Sequence, residues 1–213
     1  DRNIQPKAYD KLAALLEGDA DIEAFSPRLK LGAMLSNYEI TTNVRLNGVD
    51  PDREAAAVPD LTKRVREGRG DGRLLERGEI LIPDFLAKGM QIKVGDTVVL
   101  VAHNKDGSVN GLNFKVAGLV ENVTGPGGRD GYIHIQDAAE LLRLEQPEVS
   151  EVALRVKDFD RLKEVSAQLK TTLLEMKNQK GQPLFEMHTW DQLSPFANIV
   201  GMIDLMALFT EFW

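Results

Sequence analysis

At 213 residues the chain is long enough to bury a sizeable core, as one large domain or two lobes. Its 28% charged and 43% hydrophobic residues are ordinary for a soluble globular protein, and its formal net charge of −7 argues against nucleic acid or an anionic membrane surface, both of which demand a clustered Lys and Arg excess. Cysteine is absent, which removes disulfides and thiolate metal sites and leaves the compartment open. The polar start Asp1-Arg2-Asn3 is not a signal peptide, so the chain is expected to be a piece whose targeting segments lie outside it.

Residues 6–17 space Ala8, Tyr9, Leu12, Ala13 and Leu16 as a helix, ended by Gly18 and Asp19. Leu29, Leu31, Ala33 and Leu35 then alternate with Arg28, Lys30, Gly32 and Met34, as do Ile40, Thr42, Val44 and Leu46 after the Ser36-Asn37 turn, which predicts a hairpin with one buried face. Residues 50–67 begin polar and become helical around Leu61 and Val65, with Asp60 in the first turn. A charged, glycine-rich connector follows at 68–78. It contains Arg69-Gly70-Asp71, a tripeptide read by integrins elsewhere and here expected to be a solvated loop that spells those letters by chance.

Residues 79–82 read as a short apolar strand and 83–88 as a brief helix, with Pro83 at its first position and Gly89 as the left-handed residue that stops it. Val94-Gly95-Asp96 is a tight turn, and the β-branched stretches 97–102 and 114–120 are strands joined by a projecting, mobile loop at 103–113. Residues 125–131 are the densest breaker cluster and lead into a strand at 132–135, a helix at 137–144 and a strand at 151–156. An amphipathic helix spans 160–176, with Leu162, Val165, Leu169, Leu173 and Met176 on one stripe. A turn at 178–182 and a closing strand at 184–190 complete an alternation that calls for helices on a mixed sheet. No internal repeat is evident. From Phe196 the chain is apolar apart from Asn198, Asp204 and Glu211; Asp204 alone would cost roughly 2.5–3.5 kcal/mol at the centre of a span. This tail reads as an amphipathic helix leading into a membrane helix.

None of the chemistry-bearing residues forms a reaction centre. The histidines His103, His134 and His188 share no metal-ligand spacing and read as structural. Ser26, Ser36, Ser108, Ser150, Ser166 and Ser194 lie outside any Gly-x-Ser-x-Gly elbow. Asp50 and Asp52 are a close carboxylate pair explained by turn chemistry, and no calcium loop occurs. The glycine cluster at 125–131 is followed by a strand rather than a helix and has no Gly-Lys-Ser/Thr, so it is not a phosphate cradle. No catalytic, cofactor-binding or metal residue is assigned, and ATP binding is not expected.

Five pieces in a fixed order, from about residue 22 to residue 175, resemble the extracytoplasmic domain of MacB-like and FtsX-type ABC-transporter permeases, the superfamily that includes the lipoprotein-releasing LolC and LolE permeases. They are Asn47-Gly48-Val49-Asp50-Pro51 with Glu54 and the later Glu67-Gly68 step; Leu86-Ala87; Val94-Gly95-Asp96-Thr97-Val98; Phe114-Lys115-Val116-Ala117-Gly118; and the segment 130–142. The resemblance implies an α+β fold, a porter-like α/β sandwich with an inserted small β-rich lobe. Its parts would be residues 1–49 and 121–192 for the porter-like lobe, 50–120 for the insert and 193–213 for a stalk helix. It also implies a domain outside the inner membrane that is not itself an enzyme. Its membrane helices would pass the work of a cytoplasmic ATPase to an exported substrate, lipoprotein or partner, beside a second permease subunit. The loop at 103–113 is short and proline-free, unlike the hook hairpin with which LolC-type permeases receive a lipoprotein chaperone. A free-standing secreted binding or adaptor domain is the alternative from another class.

Overall fold

The computed structural model describes residues 4–124, 127–189 and 192. The expected stalk, 193–213, lies outside the described residues. Among those described there are eight strands and six α-helices, a mixed α/β fold.

Helix α1 (Pro6–Gly18) buries Leu12 and Leu16, four residues apart on one face. Strands β1 (Ile22–Ser36) and β2 (Thr41–Val49) form the expected hairpin, paired from Arg28↔Val49 to Ser36↔Thr41. Its turn is tied by Asn37, whose Oδ1 accepts the N–H groups of Glu39 and Ile40, and Tyr38 takes a left-handed φ of 76°. Ile40 is therefore a turn residue, exposed rather than in the strand.

Asp50 ends β2 and caps α2 (Pro51–Ala57), accepting from the N–H groups of Asp52 and Arg53, with Pro51 at the first helical position. Helix α3 (Pro59–Arg64) carries Asp60 in its first turn. Val65, expected in that helix, instead opens β3 (Val65–Arg66) opposite Val120 and Leu119. The β-branched side chain accepts either state, and the open edge of a neighbouring strand decides it.

Strand β4 (Glu79–Pro83) runs into α4 (Asp84–Met90), which extends past its expected stop. Gly89 is helical; the left-handed residue is Gln91, at φ 54°. Ile92 N–H bonds to the Ala87 carbonyl and Gln91 N–H to that of Lys88, the Schellman pattern. This later stop brings both Met90 and Ile92 into the core, which a stop at Gly89 would not. Gly95 turns the chain at φ 93° into β5 (Thr97–His103). Strand β6 (Val109–Val120) starts five residues before the expected 114, pairing from His103↔Val109 to Thr97↔Lys115. The expected projecting loop at 103–113 is thus mostly ladder, with a tight turn at 104–108. Asn113 stands on the face open to water, and the half-buried Asn110 donates to the Glu140 and Leu141 carbonyls, so polar residues inside the ladder give the stretch the composition of a loop.

Strand β7 (Gly131–His134), helix α5 (Ile135–Leu141) and strand β8 (Glu151–Val156) follow. A 3-10 turn at Phe159–Arg161 then leads to α6 (Leu162–Glu175).

Six of the strands close on themselves. Around the ring, β2–β7 and β4–β6 are parallel, whereas β7–β4, β6–β5, β5–β1 and β1–β2 are antiparallel. Leu29, Leu35, Val44, Leu46, Ile80, Ile82, Leu100, Phe114, Val116 and Ile133 fill the inside. A second cluster on the outer face joins Leu81, Ala117, Val120 and Tyr132 to Leu61 of α3 and to Leu74 and Leu75. The ring has a two-fold symmetry in its topology that no repeat of sequence accompanies. The series β1-β2…β4-α4 recurs as β5-β6…β7-α5, and exchanging the halves carries the parallel pair β2–β7 onto β6–β4. The strands β3 to β6, expected in a separate lobe at 50–120, belong to the same sheet as β1, β2, β7 and β8.

The described residues fall into two compact units, those of Asp1–Asn122 with Arg129–Asp160, and those of Val123–Gly128 with the described residues from Arg161 onward. The first holds the closed sheet. In the second, α6 buries Val165, Leu169 and Leu173, and a turn closes as Asn178 Oδ1 accepts the N–H groups of Lys180 and Gln182. The described part of the expected closing strand, 184–189, is not a strand. Its link to the preceding segment is the bond from Leu184 N–H to the Met176 carbonyl, beside the Lys177↔Pro183 bridge.

Candidate functional site

One edge of β1 serves two partners. It pairs with β8 from Ile22↔Val156 to Arg28↔Glu151 and with β5 from Met34↔Val101 to Ser36↔Val99. Arg28 stands at the fork where β8 leaves, and its other edge opens the pairing with β2 opposite Val49. Because Asp50 and Pro51 start α2 immediately after β2, Glu54 lies in the first helical turn and faces back onto β1.

Glu54 is fully buried there. Its Oε1 accepts from Arg28 Nη2 at 2.6 Å and from Nε at 3.1 Å, while Oε2 accepts from Ser26 Oγ at 2.6 Å. Arg28 Nη1 reaches Glu151 Oε1 at 3.0 Å, and Lys30 Nζ reaches Glu151 Oε2 at 2.9 Å. Five side chains thus clasp β1, α2 and β8 together. Burial pulls the Arg28 pKa down, but the hydrogen bond and charge of Glu54 more than reverse this and hold it above the ordinary arginine value. Burial likewise works to raise Glu151, and Lys30 and Arg28 outweigh it, so this carboxyl titrates below the usual glutamate range. The phenol of Tyr132, on β7, is pushed up by burial, with the Arg28 charge opposing and that of Glu54 adding. A buried ion pair holds geometry more than it adds stability, because desolvation opposes its attraction.

Among the described residues the three histidines stand apart, and of the other residues singled out in the sequence Asp50 comes beside His134, across the Val49↔His134 pairing. His103 ends β5, His134 caps α5 through Nδ1, and His188 lies 3.7 Å from Glu186 in the other unit. Among the described residues no three His, Asp or Glu side chains are arranged to hold a metal ion. Asp50, expected in a turn, caps helix α2 instead, and Ser26 is a clasp donor. Arg69-Gly70-Asp71 lies, as expected, in an irregular stretch with Gly70 and Asp71 exposed, and its side chains are ion-paired. Arg69 bonds to Asp71 and Glu79 and pairs with Glu76, and Arg73 pairs with Asp71 and Glu76. Asp137, buried, accepts from Arg77 and from Gly78 N–H at 2.7 Å, which fastens the approach to β4. A polar recess of about 290 Å³ lies between the β1–β2 turn and the end of α4, lined by Asn37, Glu39, Met90, Gln91, Asp96 and Thr97.

The motif residue Glu54 was visible in the sequence, but its burial was not. The available signal was the Asp50-Pro51 helix start, which fixes which way the first turn faces. Nothing local marked Arg28, whose partners stand 26 and 123 residues away.

No helix of the described residues is long and apolar enough to cross a membrane. Among curated proteins none matches the chain in sequence. Solved structures do match in fold. The periplasmic region of MacB from Actinobacillus actinomycetemcomitans aligns at TM-score 0.59 and 14% identity, covering 92% of this chain and 82% of that one. The extracellular domain of the noncanonic ABC-type transporter YknZ from Gram-positive bacteria aligns at 0.55 and 15% identity, covering 78% and 82%. A domain of a putative permease protein from Porphyromonas gingivalis aligns at 0.51 and 17%, covering 81% and 70%. The family model for the MacB-like periplasmic core domain matches residues 2–172, so the chain belongs to that family.

Proposed function

We propose that this chain is the extracytoplasmic part of an ABC-transporter permease in the inner membrane. It couples ATP hydrolysis in the cytoplasm to movement that acts on an exported substrate, a lipoprotein or a partner protein outside the membrane. The observation that carries the reading is the family match over residues 2–172. The likeness in fold to the periplasmic region of MacB and the extracellular domain of YknZ supports it. The chemistry of hydrolysis belongs to an ATPase subunit or domain, reached through membrane helices, and a second permease subunit stands beside this one. The clasp suits such work: with β1, α2 and β8 pinned at Arg28, a displacement of one strand is passed to the others.

The test uses the full-length permease with its ATPase in nanodiscs. These 213 residues have no cysteine, and with any cysteine elsewhere in the permease replaced by serine, a single one at exposed Val109 can carry a spin label. The distance from this label to one on the twin subunit should change when nucleotide is trapped with vanadate, and should stay fixed when the ATPase is inactive. An unchanged distance distribution in the active transporter would refute the coupling. Calorimetry of the isolated chain with ATP and magnesium should show no binding, and a micromolar constant would overturn that part.

A further inference from the structure

Strands β2 and β7 run parallel, with Val49 opposite His134, and each passes directly into a helix. The two helix starts therefore open side by side with different caps. Asp50 presents a carboxylate oxygen to the N–H groups of Asp52 and Arg53, at 3.1 Å each. His134 presents Nδ1 to the N–H of Gln136, also at 3.1 Å. A carboxylate remains an acceptor at any pH near neutral. An imidazole nitrogen accepts only while the ring is neutral with its proton on Nε2, because imidazolium has two donors and no acceptor.

The helix held by this cap is tightly placed. Ile135, Ala138 and Leu141 enter the core, and a Cβ on Gly48 of β2 would come within 2.5 Å of Ala138 Cβ, so α5 rests directly on the strand. Asp137, in the same first turn, receives Gly78 N–H and Arg77. Protonating His134 removes the acceptor from Gln136 and puts a positive charge at the positive end of the helix dipole.

We infer that His134 is a proton-operated cap: neutral, it completes the first turn of α5, and protonated, it frees that turn and slackens the Asp137 tie on Arg77 and Gly78 that sets the entry to β4. The groups facing the ring are Asp137 on α5, Asp50 at the start of α2 and Arg77 on the segment before β4. Burial is the largest influence and holds the ring below the ordinary histidine pKa; Asp137 and Asp50 oppose it and Arg77 adds to it. A base whose folded pKa is depressed contributes stability that is present above the ordinary value and lost as pH falls through the folded pKa. The device thus acts on the acid side of neutrality, and it does not depend on what the parent protein transports.

The test is an NMR pH titration of the chain with hydrogen exchange, read as protection factors at Gln136 and Gly78. In the native sequence the neutral ring should show the Nε2-protonated tautomer. Both amides should lose about fivefold or more in protection as His134 titrates, the size of one lost cap. His134→Asn keeps an uncharged acceptor and should remove the step, and His134→Ala should be weakly protected at every pH. A neutral ring carrying its proton on Nδ1, amides insensitive to the His134 titration, or the same step in His134→Asn would each overturn the inference. The tautomer and the native titration need no variant, so a poorly folding substitution leaves the test intact.

Discussion

Glu54→Gln keeps the size of the side chain and deletes its charge, leaving Arg28 at the fork with Glu151 as its remaining carboxylate. Removing one partner of a buried pair costs about 3–5 kcal/mol, because the other charge stays out of water unpaired. Two features put this substitution at the lower end. Glu151 Oε1 remains 3.0 Å from Arg28, and the glutamine oxygen still accepts one bond while the rotatable Ser26 hydroxyl can accept from the amide. The expected loss is therefore about 3 kcal/mol, a large share of the ~5–15 kcal/mol that holds a typical domain folded. Urea unfolding followed by far-UV circular dichroism measures it as a lower midpoint at unchanged slope. A cycle with Arg28→Met and Glu54→Leu isolates the pair. The double variant, apolar on both sides, should be more stable than Glu54→Leu alone, with a coupling of about 2 kcal/mol or more. A Glu54→Gln loss below about 0.5 kcal/mol, or additivity to that level, would refute the argument that the clasp is a desolvated, mutually dependent pair.

Gly48→Ala should cost about 1–3 kcal/mol by forcing α5 off β2. In its presence Ala138→Gly should cost less than it does alone, and additive denaturation free energies would contradict the close approach. Gly95 has φ 93° with nothing within 4 Å of an added Cβ, so Gly95→Ala and Gly95→Val should each lose about 1–2 kcal/mol from backbone strain alone. A Gly95→Val loss well beyond that of Gly95→Ala would point to a steric cause instead. The Arg73 N–H bond, followed by the Arg73 and Arg69 side chains acting against burial, lowers the Asp71 carboxyl to about 2. Its contribution to stability is thus present above the ordinary carboxylate range and lost as pH falls toward that value. A carbon-13 titration of the Asp71 carboxyl with an ordinary aspartate midpoint would show that the Arg69 cluster is open in solution.

The sequence by itself determined the local geometry and the family. Alternating Leu29, Ala33, Leu35, Val44 and Leu46 dictated the first hairpin, Gly95 its turn, and the ordered motifs the kinship that the family match bears out. These features follow from neighbours within a few residues, whose spacing and φ preferences act before any tertiary contact forms. Only the tertiary structure decided that Val65 is strand, that α4 stops at Gln91 rather than Gly89, and that Asn110 to Asn113 join a ladder. In each case the local preference is weak, and a distant strand edge or core vacancy outweighs it. The closed ring, its two-fold topology and the Arg28–Glu54–Glu151 clasp were not legible at all. They rest on pairings between distant segments, such as Arg28 with Glu151, and on burial that makes a lone charge costly and a paired one tolerable.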